Sequence, residues 1–323
     1  MEKVVVAITT YNLEQFIAQA LESILMQKTS FPFKIIVADD CSTDNTLSIL
    51  NEYEGKYPDV IKVLPSEKNL GSLANSNRLF DGLDAEYFSF LDGDDYWLDE
   101  TRLQRQVDFL DAHREYSMCG GNTQYMREGA LCERMISPGE LNKSYSFDDY
   151  VRGDMPFIHT SSLVVRNTII SKGLPHHYFD AVGSFEECAL RGEDFRRVIH
   201  LQRGPVFLMD GLFSVYRIHG KGLWQSSSPF KKQMEGAISY NFYGKFFGEE
   251  NDRFFKKQAI KSYRSLLFSL LLEQHSGQSL SEREYDQLAK YVEDYTRNNR
   301  GTPRNSIYLK IFRRCFKIIN SRD

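Results

Sequence analysis

Strand and helix patterns alternate through the first third of the chain, and this alternation constrains the fold more than any other feature. Short apolar runs rich in β-branched residues predict strands at residues 4–8, 34–38, 60–64 and 86–91. Apolar residues at helical spacing predict helices at residues 13–27, 45–56, 72–83 and 99–113. Strands and helices that alternate at this pitch favour parallel pairing with right-handed crossovers. The sequence therefore predicts an α/β fold with a mostly parallel sheet flanked by helices.

The first two predicted helices begin after residues that favour helix N-termini. Asn12, with Gln15 three residues later, is the expected N-cap of the first helix. Ser42, Thr43 or Asp44 can cap the second helix.

Beyond residue 114 the pattern is less regular, and it becomes helical near the end. Runs at 161–165 and 205–209 predict strands, and residues 193–202 predict a helix. Further helices are predicted at residues 230–247, 251–275, 281–298 and 305–319. We expect a first domain at 1–226 and a helical C-terminal extension at 227–323.

Composition excludes several classes of protein. Forty basic and 44 acidic residues give a net charge of −4, which argues against a nucleic-acid partner. Five scattered cysteines without a CxxC pair predict free thiols in a reducing compartment. The N-terminus enters a strand pattern at once, without the pattern of a signal peptide, and no apolar run reaches the ~20 residues that span a bilayer. We therefore expect a cytoplasmic protein.

The common nucleotide and hydrolase motifs are absent from the sequence. It has no GxGxxG after the first strand, no P-loop, no HExxH and no GxSxG. A standard dinucleotide site is therefore not expected.

Polar clusters at residues 9–12, 39–44 and 92–95 each follow a predicted strand. In parallel sheets the ligand site lies outside the carboxyl ends of the strands. Asp92, Asp94 and Asp95 would repel one another unless a cation or hydrogen-bond donors offset their charge. Mg²⁺ or Mn²⁺ commonly bridges such carboxylates to a diphosphate. The alternative is an acidic turn that caps the next helix.

The ordered set of these segments resembles the family 2 glycosyltransferases of the GT-A fold, which is Rossmann-like. The matching segments are ITTYN at 8–12, VADDCSTDNT at 37–46, NLG at 69–71 with Asn75 and Asn77, FLDGDDYW at 90–97, ED at 193–194 and YRIH at 216–219. Cys41 departs from the pattern, since Gly or Asn is more usual there. The resemblance implies a nucleotide-sugar donor, a divalent metal and an inverting transfer to a hydroxyl.

Carried over residue by residue, the resemblance implies a nucleoside pocket at the first strand ends. Thr9 and Tyr11 would line it, Asp40 would accept a hydrogen bond from the base, and Asn69 would lie near the nucleoside. The competing explanations are strand-end capping and core packing for Thr9 and Tyr11, and helix capping for Asp40.

The resemblance also implies how the diphosphate and its metal are held. Asp92 and Asp94 would hold the ribose and the metal-bound diphosphate, with Asp95 beside them. Arg217 suits a diphosphate through its planar guanidinium, and His219 is a candidate third metal ligand.

The reacting groups are expected in the second half of the chain. Asp194 is the candidate general base by resemblance, with Glu193 beside it, and a helix N-terminus there would keep the carboxylate ionised. The alternative is that both acids only complement the helix dipole. His159 and Trp224 are candidate acceptor-binding residues.

These inferences predict an enzyme that moves a sugar from a nucleotide diphosphosugar, most simply a UDP-sugar, to a hydroxyl of a glycan or lipid-linked acceptor. Mn²⁺ or Mg²⁺ would assist, and the resemblance implies a bacterial surface polysaccharide or another glycan as the acceptor. One alternative is a sugar nucleotidyltransferase, although 9–12 is not the Gly-rich, basic loop that such enzymes use. The other is a non-catalytic glycan- or nucleotide-binding module.

The tail carries a final pattern, IYLKIFRRCFKII at residues 307–319. As a helix it would have a narrow basic face and a broad apolar one, as an in-plane membrane helix does. This predicts peripheral contact with the inner face of the cell membrane through 305–319. The alternative is that the apolar face packs on other helices or on another subunit, which leaves an oligomer open.

Overall fold

The structure is a computed structural model, and it describes residues 2–80, 84–168, 187–191, 193–220, 222, 227, 229–247, 254–255, 257–259 and 261–262. The chain divides into two compact units. The first contains the described residues up to 222 except 187–189, and the second contains 187–189 and the described residues from 227 onward. The predicted domain boundary at 226 stays a prediction. The predicted helices at 281–298 and 305–319 lie outside the described residues.

The elements up to residue 112 follow the predicted alternation. The strands are β1 (Glu2–Thr10), β2 (Phe33–Asp39), β3 (Ile61–Leu64), β4 (Ala85–Asp92) and the short β5 (Tyr96–Trp97). The helices are α1 (Ile17–Leu25), α2 (Thr46–Lys56), α3 (Ser72–Phe80) and α4 (Arg102–Ala112).

Later elements are shorter and less regular. The strands are β6 (Met118–Arg127), β7 (Ala130–Arg134), β8 (Lys143–Tyr145), β9 (Val164–Arg166) and β10 (Val206–Ile218). The helices are α5 (Phe147–Arg152), α6 (Cys188–Arg191), α7 (Glu193–Leu201) and α8 (Pro229–Phe246), with single 3₁₀ turns at Pro138–Glu140 and Thr160–Ser162. None of the described helices is long and apolar enough to cross a bilayer.

All ten strands form one sheet in the order β3-β2-β1-β4-β9-β6-β10-β5, with β7 on β6 and β8 on β10. The long pairings, among β1 to β4 and between β6 and β10, are parallel. The antiparallel pairings, such as β4 with β9, are short. The prediction of an α/β fold with a mostly parallel sheet and flanking helices is confirmed.

Alternation along β1 explains why the sheet has a core on each face. Val4, Val6 and Ile8 face one core, which helices α1, α2 and α4 cover, whereas Val5 and Ala7 face the other. Because both faces are buried, the strand reads as a continuous apolar run in the sequence.

Two details of the predicted helix starts are corrected by the structure. Asn12 is not the N-cap of α1, because residues 13–16 form a turn and the cap position falls on Phe16, without a side-chain hydrogen bond. At α2 the cap position falls on Asn45, just after the predicted 42–44, although the Asp44 carboxylate still accepts from the Thr46 N–H at 2.9 Å.

Residues 161–165 are not one strand. Residues 160–162 form the 3₁₀ turn, in which Ser161 and Ser162 are buried. Strand β9 therefore begins only at Val164. The strands β6, β7 and β8 were not predicted, since the Gly-rich and polar sequence at 118–127 resembles a loop.

Candidate functional site

The loops that follow β1, β2 and β4 all leave the sheet at its carboxyl edge. In register, Thr9 of β1 lies beside Ala38 of β2 and beside Asp92 of β4. The three polar clusters at 9–12, 39–44 and 92–95 therefore meet at one edge, as parallel strands require.

The loops after β1 and β2 are joined by hydrogen bonds. Asn12 donates its backbone N–H to Ser42 Oγ at 2.9 Å, and its Oδ1 accepts from the Thr43 N–H at 2.7 Å. Asn12 and Cys41 have φ values of 54° and 62°, in the left-handed region that glycine and asparagine tolerate best. The departure at Cys41 therefore places a less suitable residue in a strained turn.

The acidic turn approaches β1 closely because residue 93 is glycine. The Gly93 N–H donates to the Thr9 carbonyl at 3.2 Å. A Cβ on Gly93 would lie 3.0 Å from Leu13 Cδ1 and 3.2 Å from that carbonyl oxygen, closer than nearly all real contacts. Tyr11, in the loop that follows β1, is 45% exposed and offers an aromatic face to a ligand.

Asp40 is buried and holds the 69–71 turn rather than a helix start. Its two carboxylate oxygens accept from the N–H groups of Leu70, at 2.6 Å, and Gly71, at 3.0 Å. The side-chain amide of Asn69 donates to the Asp40 carbonyl at 3.3 Å. Asp40 and Asn69 therefore lie together, as the sequence segments implied.

Asp95 is sealed inside the protein. Its carboxylate accepts from the Arg217 N–H at 3.0 Å and from Ser161 Oγ at 3.1 Å. Burial, together with the charges of Asp94 and Asp92, raises the pKa of the Asp95 carboxyl well above its usual range. This acid ties the 92–95 turn to β10 and to the 160–162 turn.

Asp94 and His219 form a pair that keeps access to solvent. His219 Nε2 lies 2.9 Å from Asp94 Oδ2, and the imidazole packs against the Phe16 ring at 4.8 Å between centroids. The His219 side chain is 14% exposed and the Asp94 side chain is 19% exposed, whereas Asp95 is fully buried. A ligand from solvent can therefore reach this pair.

Arg217 is buried beneath the same turn. Its guanidinium donates to the Asp94 carbonyl at 2.5 Å and to the Gln19 side chain. The Tyr96 and Phe16 rings lie 4.6 and 5.1 Å from its central carbon. Burial lowers the pKa of Arg217, which remains a fixed positive charge next to the acids.

Two sets of side chains offer metal ligands. Ligand atoms of Asp92, Asp95 and His159 lie within 4.8 Å of one another, and Asp94 and His219 form the second set. Carboxylate oxygens with an imidazole nitrogen suit Mn²⁺ or Mg²⁺, so the residues present fit such an ion. In the Asp94 and His219 set both side chains are partly exposed, whereas in the other set Asp95 and His159 are buried and Asp92 is partly exposed.

The proposed base, Asp194, lies in the first turn of α7 and is 43% exposed. It pairs with the guanidinium of Arg197, which is buried. Arg197 also donates to the Ile158 carbonyl at 2.6 Å. The structure therefore joins the start of α7 to the segment before the 160–162 turn.

The other predicted residues fall in different places. His159 is buried, 3.8 Å from the Asp95 carboxylate, and packs on the Tyr216 ring at 4.8 Å between centroids. This burial does not suit direct acceptor contact. Glu193 begins α7, and Trp224 lies outside the described residues.

Sequence reasoning missed Ser161, Arg197 and Gln19, which contact the predicted residues Asp95, Asp194 and Arg217 respectively. The i, i+3 spacing of Asp194 and Arg197 was a readable signal once the helix was predicted. Ser161 and Gln19 carried no local signal, because their partners are 66 and 198 residues away in the chain.

The chain is similar in sequence to several known proteins. The family model described as glycosyl transferase family 2 matches residues 5–174. An uncharacterised protein of Mycobacterium tuberculosis is 30% identical over 218 residues, which are 68% of this chain and 59% of that protein. The dTDP-rhamnosyl transferase RfbG of Shigella flexneri is 39% identical over 105 residues, 31% of this chain and 36% of that protein.

A solved structure supports the same fold. The crystal structure of Staphylococcus aureus TarS 1-349 in complex with UDP-GlcNAc matches with a TM-score of 0.58 and 18% identity, over 90% of this chain and 81% of that one. The present chain spans 59% of the length of the mycobacterial relative.

Proposed function

This chain belongs to glycosyl transferase family 2, and from that premise we propose that it transfers a sugar from a nucleotide diphosphosugar to an acceptor hydroxyl, with inversion at the anomeric carbon. The observation that carries the proposal is one sheet edge at which the partly exposed Asp94 and His219 pair lies with the loops at 9–12 and 39–44. The half-exposed Asp194 is the proposed base.

The proposed donor is a UDP-sugar. Support comes from the TarS complex, which holds UDP-GlcNAc, while RfbG is named for a dTDP-sugar. In our proposal Thr9, Tyr11, Asp40 and Asn69 bind the nucleoside. Each Asp40 oxygen already accepts one backbone N–H, and a carboxylate has further lone pairs for a base N–H.

We assign Asp94 and His219, with Asp92 of the same turn, to a divalent cation, because the Asp94 and His219 side chains form a pair that is partly exposed to solvent. When bound, such an ion acts as a Lewis acid that stabilises charge on the departing diphosphate. Arg217 holds the Asp94 backbone in place and adds a positive charge beneath the turn. The rigid turn reduces the reorganisation needed when the donor binds.

Transfer needs a group that takes the proton of the acceptor hydroxyl as its oxygen attacks the anomeric carbon. We assign this to the Asp194 carboxylate, which Arg197 orients from a buried position. The half-exposed side chain leaves room for an acceptor to approach. The acceptor class we propose is a glycan or a lipid-linked sugar.

A donor panel tests the proposal. UDP-, dTDP- and GDP-sugars with Mn²⁺ or Mg²⁺ are incubated with the full chain, and nucleotide release is measured with and without glycoside acceptors. We expect metal-dependent release from at least one donor. Release of pyrophosphate from a nucleoside triphosphate and a sugar phosphate would support a nucleotidyltransferase instead. Metal-dependent binding without any release would support a non-catalytic module.

A further inference from the structure

Phe157 is exposed where its neighbours are not. Its side chain is 52% exposed, although Ile158 and His159, which follow it, are buried. Among the described residues, the other exposed large apolar side chains are Tyr11, Met26 and Leu131. A single exposed apolar side chain is ordinary in itself, so the surroundings of Phe157 decide whether it has a role.

The Phe157 ring is held in place by a buried cation. The central carbon of the Arg197 guanidinium lies 4.9 Å from the centre of the ring, a cation–π contact. The same guanidinium donates to the Ile158 carbonyl at 2.6 Å and pairs with the Asp194 carboxylate. The exposed ring and the proposed base therefore contact one guanidinium, which places them side by side.

We propose that Phe157 is the stacking platform of the acceptor subsite, where the sugar ring of the acceptor packs while its hydroxyl meets Asp194. The proposal rests on the proposed function. A pyranose has an apolar face of C–H groups, and the electron-rich face of an aromatic ring attracts such hydrogens. Because Arg197 already holds the ring, little conformational entropy is lost when the sugar binds.

This arrangement separates two tasks near the base. Arg197 is a positioning residue, since it contacts Asp194 and Ile158 from a buried position. Phe157 is exposed and contacts the ligand in our proposal. An aromatic ring gives stacking that tolerates different sugars, so the exact hydroxyl pattern of the acceptor would be read by other groups.

The test compares three substitutions in the full chain. Phe157→Leu keeps apolar bulk over Arg197 but lacks an aromatic face, and Phe157→Tyr keeps the face. Leu131→Ala is the matched control, because Leu131 is also half exposed, at 50%, and lies on β7. Thermal unfolding of each variant shows whether the fold is retained.

The probes are methyl α- and β-glycosides of glucose, galactose, N-acetylglucosamine, mannose and rhamnose. Their binding is measured by saturation-transfer NMR with UDP and diamagnetic Mg²⁺ present. We expect at least one glycoside to bind the unmodified chain, and Phe157→Leu to weaken that binding about fivefold, the size of one aromatic contact. Phe157→Tyr and Leu131→Ala should stay within twofold.

Three results would overturn the inference. The first is that no glycoside binds the unmodified chain, and the second is that Phe157→Leu binds as well as Phe157→Tyr. The third is that a second copy of the chain covers Phe157, seen as concentration-dependent dimers that are lost in Phe157→Leu. Nucleotide release without acceptor reports the proposed function separately. If release occurs while the variants bind alike, only the Phe157 assignment fails.

Discussion

The two halves of the sheet bury different kinds of ionisable side chain. We call β1 to β4, residues 2–92, the parallel half, and β5 to β10, residues 96–218, the mixed half. Among the described residues, the buried charged side chains of the parallel half are Asp39 and Asp40. In the mixed half the buried cationic or imidazole side chains are Arg102, His159, Arg197, His200 and Arg217.

The difference shows how each half holds its part of the site. In the parallel half, long pairings fix the strand ends, and buried acids accept N–H groups from adjacent loops, as Asp40 does from the 69–71 turn. In the mixed half the β6–β10 pairing is long but the other pairings are short, and buried guanidinium groups bind carbonyls of distant segments. Arg102 bonds the Ser161 carbonyl at 2.8 Å, and Arg217 bonds the Asp94 carbonyl. Buried arginines therefore replace strand pairing where the chain is irregular.

The largest expected effect tests whether the mixed half supplies the reacting group. Asp194→Asn should lower transfer by ~10²–10⁴-fold while donor binding is retained, because an amide cannot take the acceptor proton. The measurements are steady-state transfer and donor affinity. Asp154→Asn is the matched control, because Asp154 is also an acid paired with an arginine, Arg152, but is exposed. Transfer by Asp194→Asn within threefold of the unmodified chain would move the base role elsewhere, with Glu193 tested next.

The next prediction concerns the acids between the two halves. Asp94→Ala should weaken UDP binding in Mn²⁺ by at least about a hundredfold and abolish turnover, because an essential ligand atom is lost. Asp108→Ala removes an exposed acid of α4 and should change neither the UDP affinity nor the turnover. Calorimetry that gives equal UDP affinity in EDTA, in Mn²⁺ and in Asp94→Ala would reject a metal role for this turn.

Acid sensitivity should arise in part from the mixed half. His200 is buried, donates Nδ1–H to the Arg196 carbonyl at 2.6 Å as a neutral imidazole, and burial lowers its pKa to about 4. The unfolded chain binds this proton near pH 6.5, so stability falls as pH drops from about 6.5 to about 4.

Replacement of that imidazole tests the linkage. Between pH 6.5 and 4, the unmodified chain should lose up to about 3 kcal/mol more unfolding free energy than His200→Leu, since one pKa unit corresponds to ~1.4 kcal/mol. Denaturant unfolding at several pH values measures the unfolding free energy of both proteins. The contributions of the carboxylates that both proteins share cancel in the difference between them. If the unfolding free energies of the two proteins change in parallel with pH, His200 is not the source of the acid sensitivity.

The smallest expected effect concerns close packing in the mixed half. A Cβ on Gly121 would lie 2.3 Å from the Phe213 ring, and Phe213 is fully buried. Gly121→Ala should therefore cost about 1–3 kcal/mol of unfolding free energy. Gly55→Ala, in α2 with open space around it, should stabilise by ~0.5–1 kcal/mol. Equal changes in thermal unfolding would mean that the two halves are packed alike.

The sequence by itself determined the parallel half and the composition of its loops. The apolar runs that form β1, β2, β3 and β4 end where polar residues begin, so strand ends and ligand loops were readable locally. That is why the sequence alone predicts that the clusters at 9–12, 39–44 and 92–95 meet at one edge of the sheet. Strand β6 was not predicted, because the burial of its Gly-rich segment depends on strands that are distant in sequence.

Only the tertiary structure decided how those loops become a site. Asp95 meets Ser161 across 66 residues and Arg217 across 122, and neither pairing follows from local pattern. The structure also gives two neighbouring acids of one short motif different environments. Asp95 is buried in the interior, whereas Asp94 is partly exposed and pairs with His219. The physical reason is that periodicity reports which face of an element is apolar. Which distant polar group meets a buried charge is set by the order of strands in the sheet.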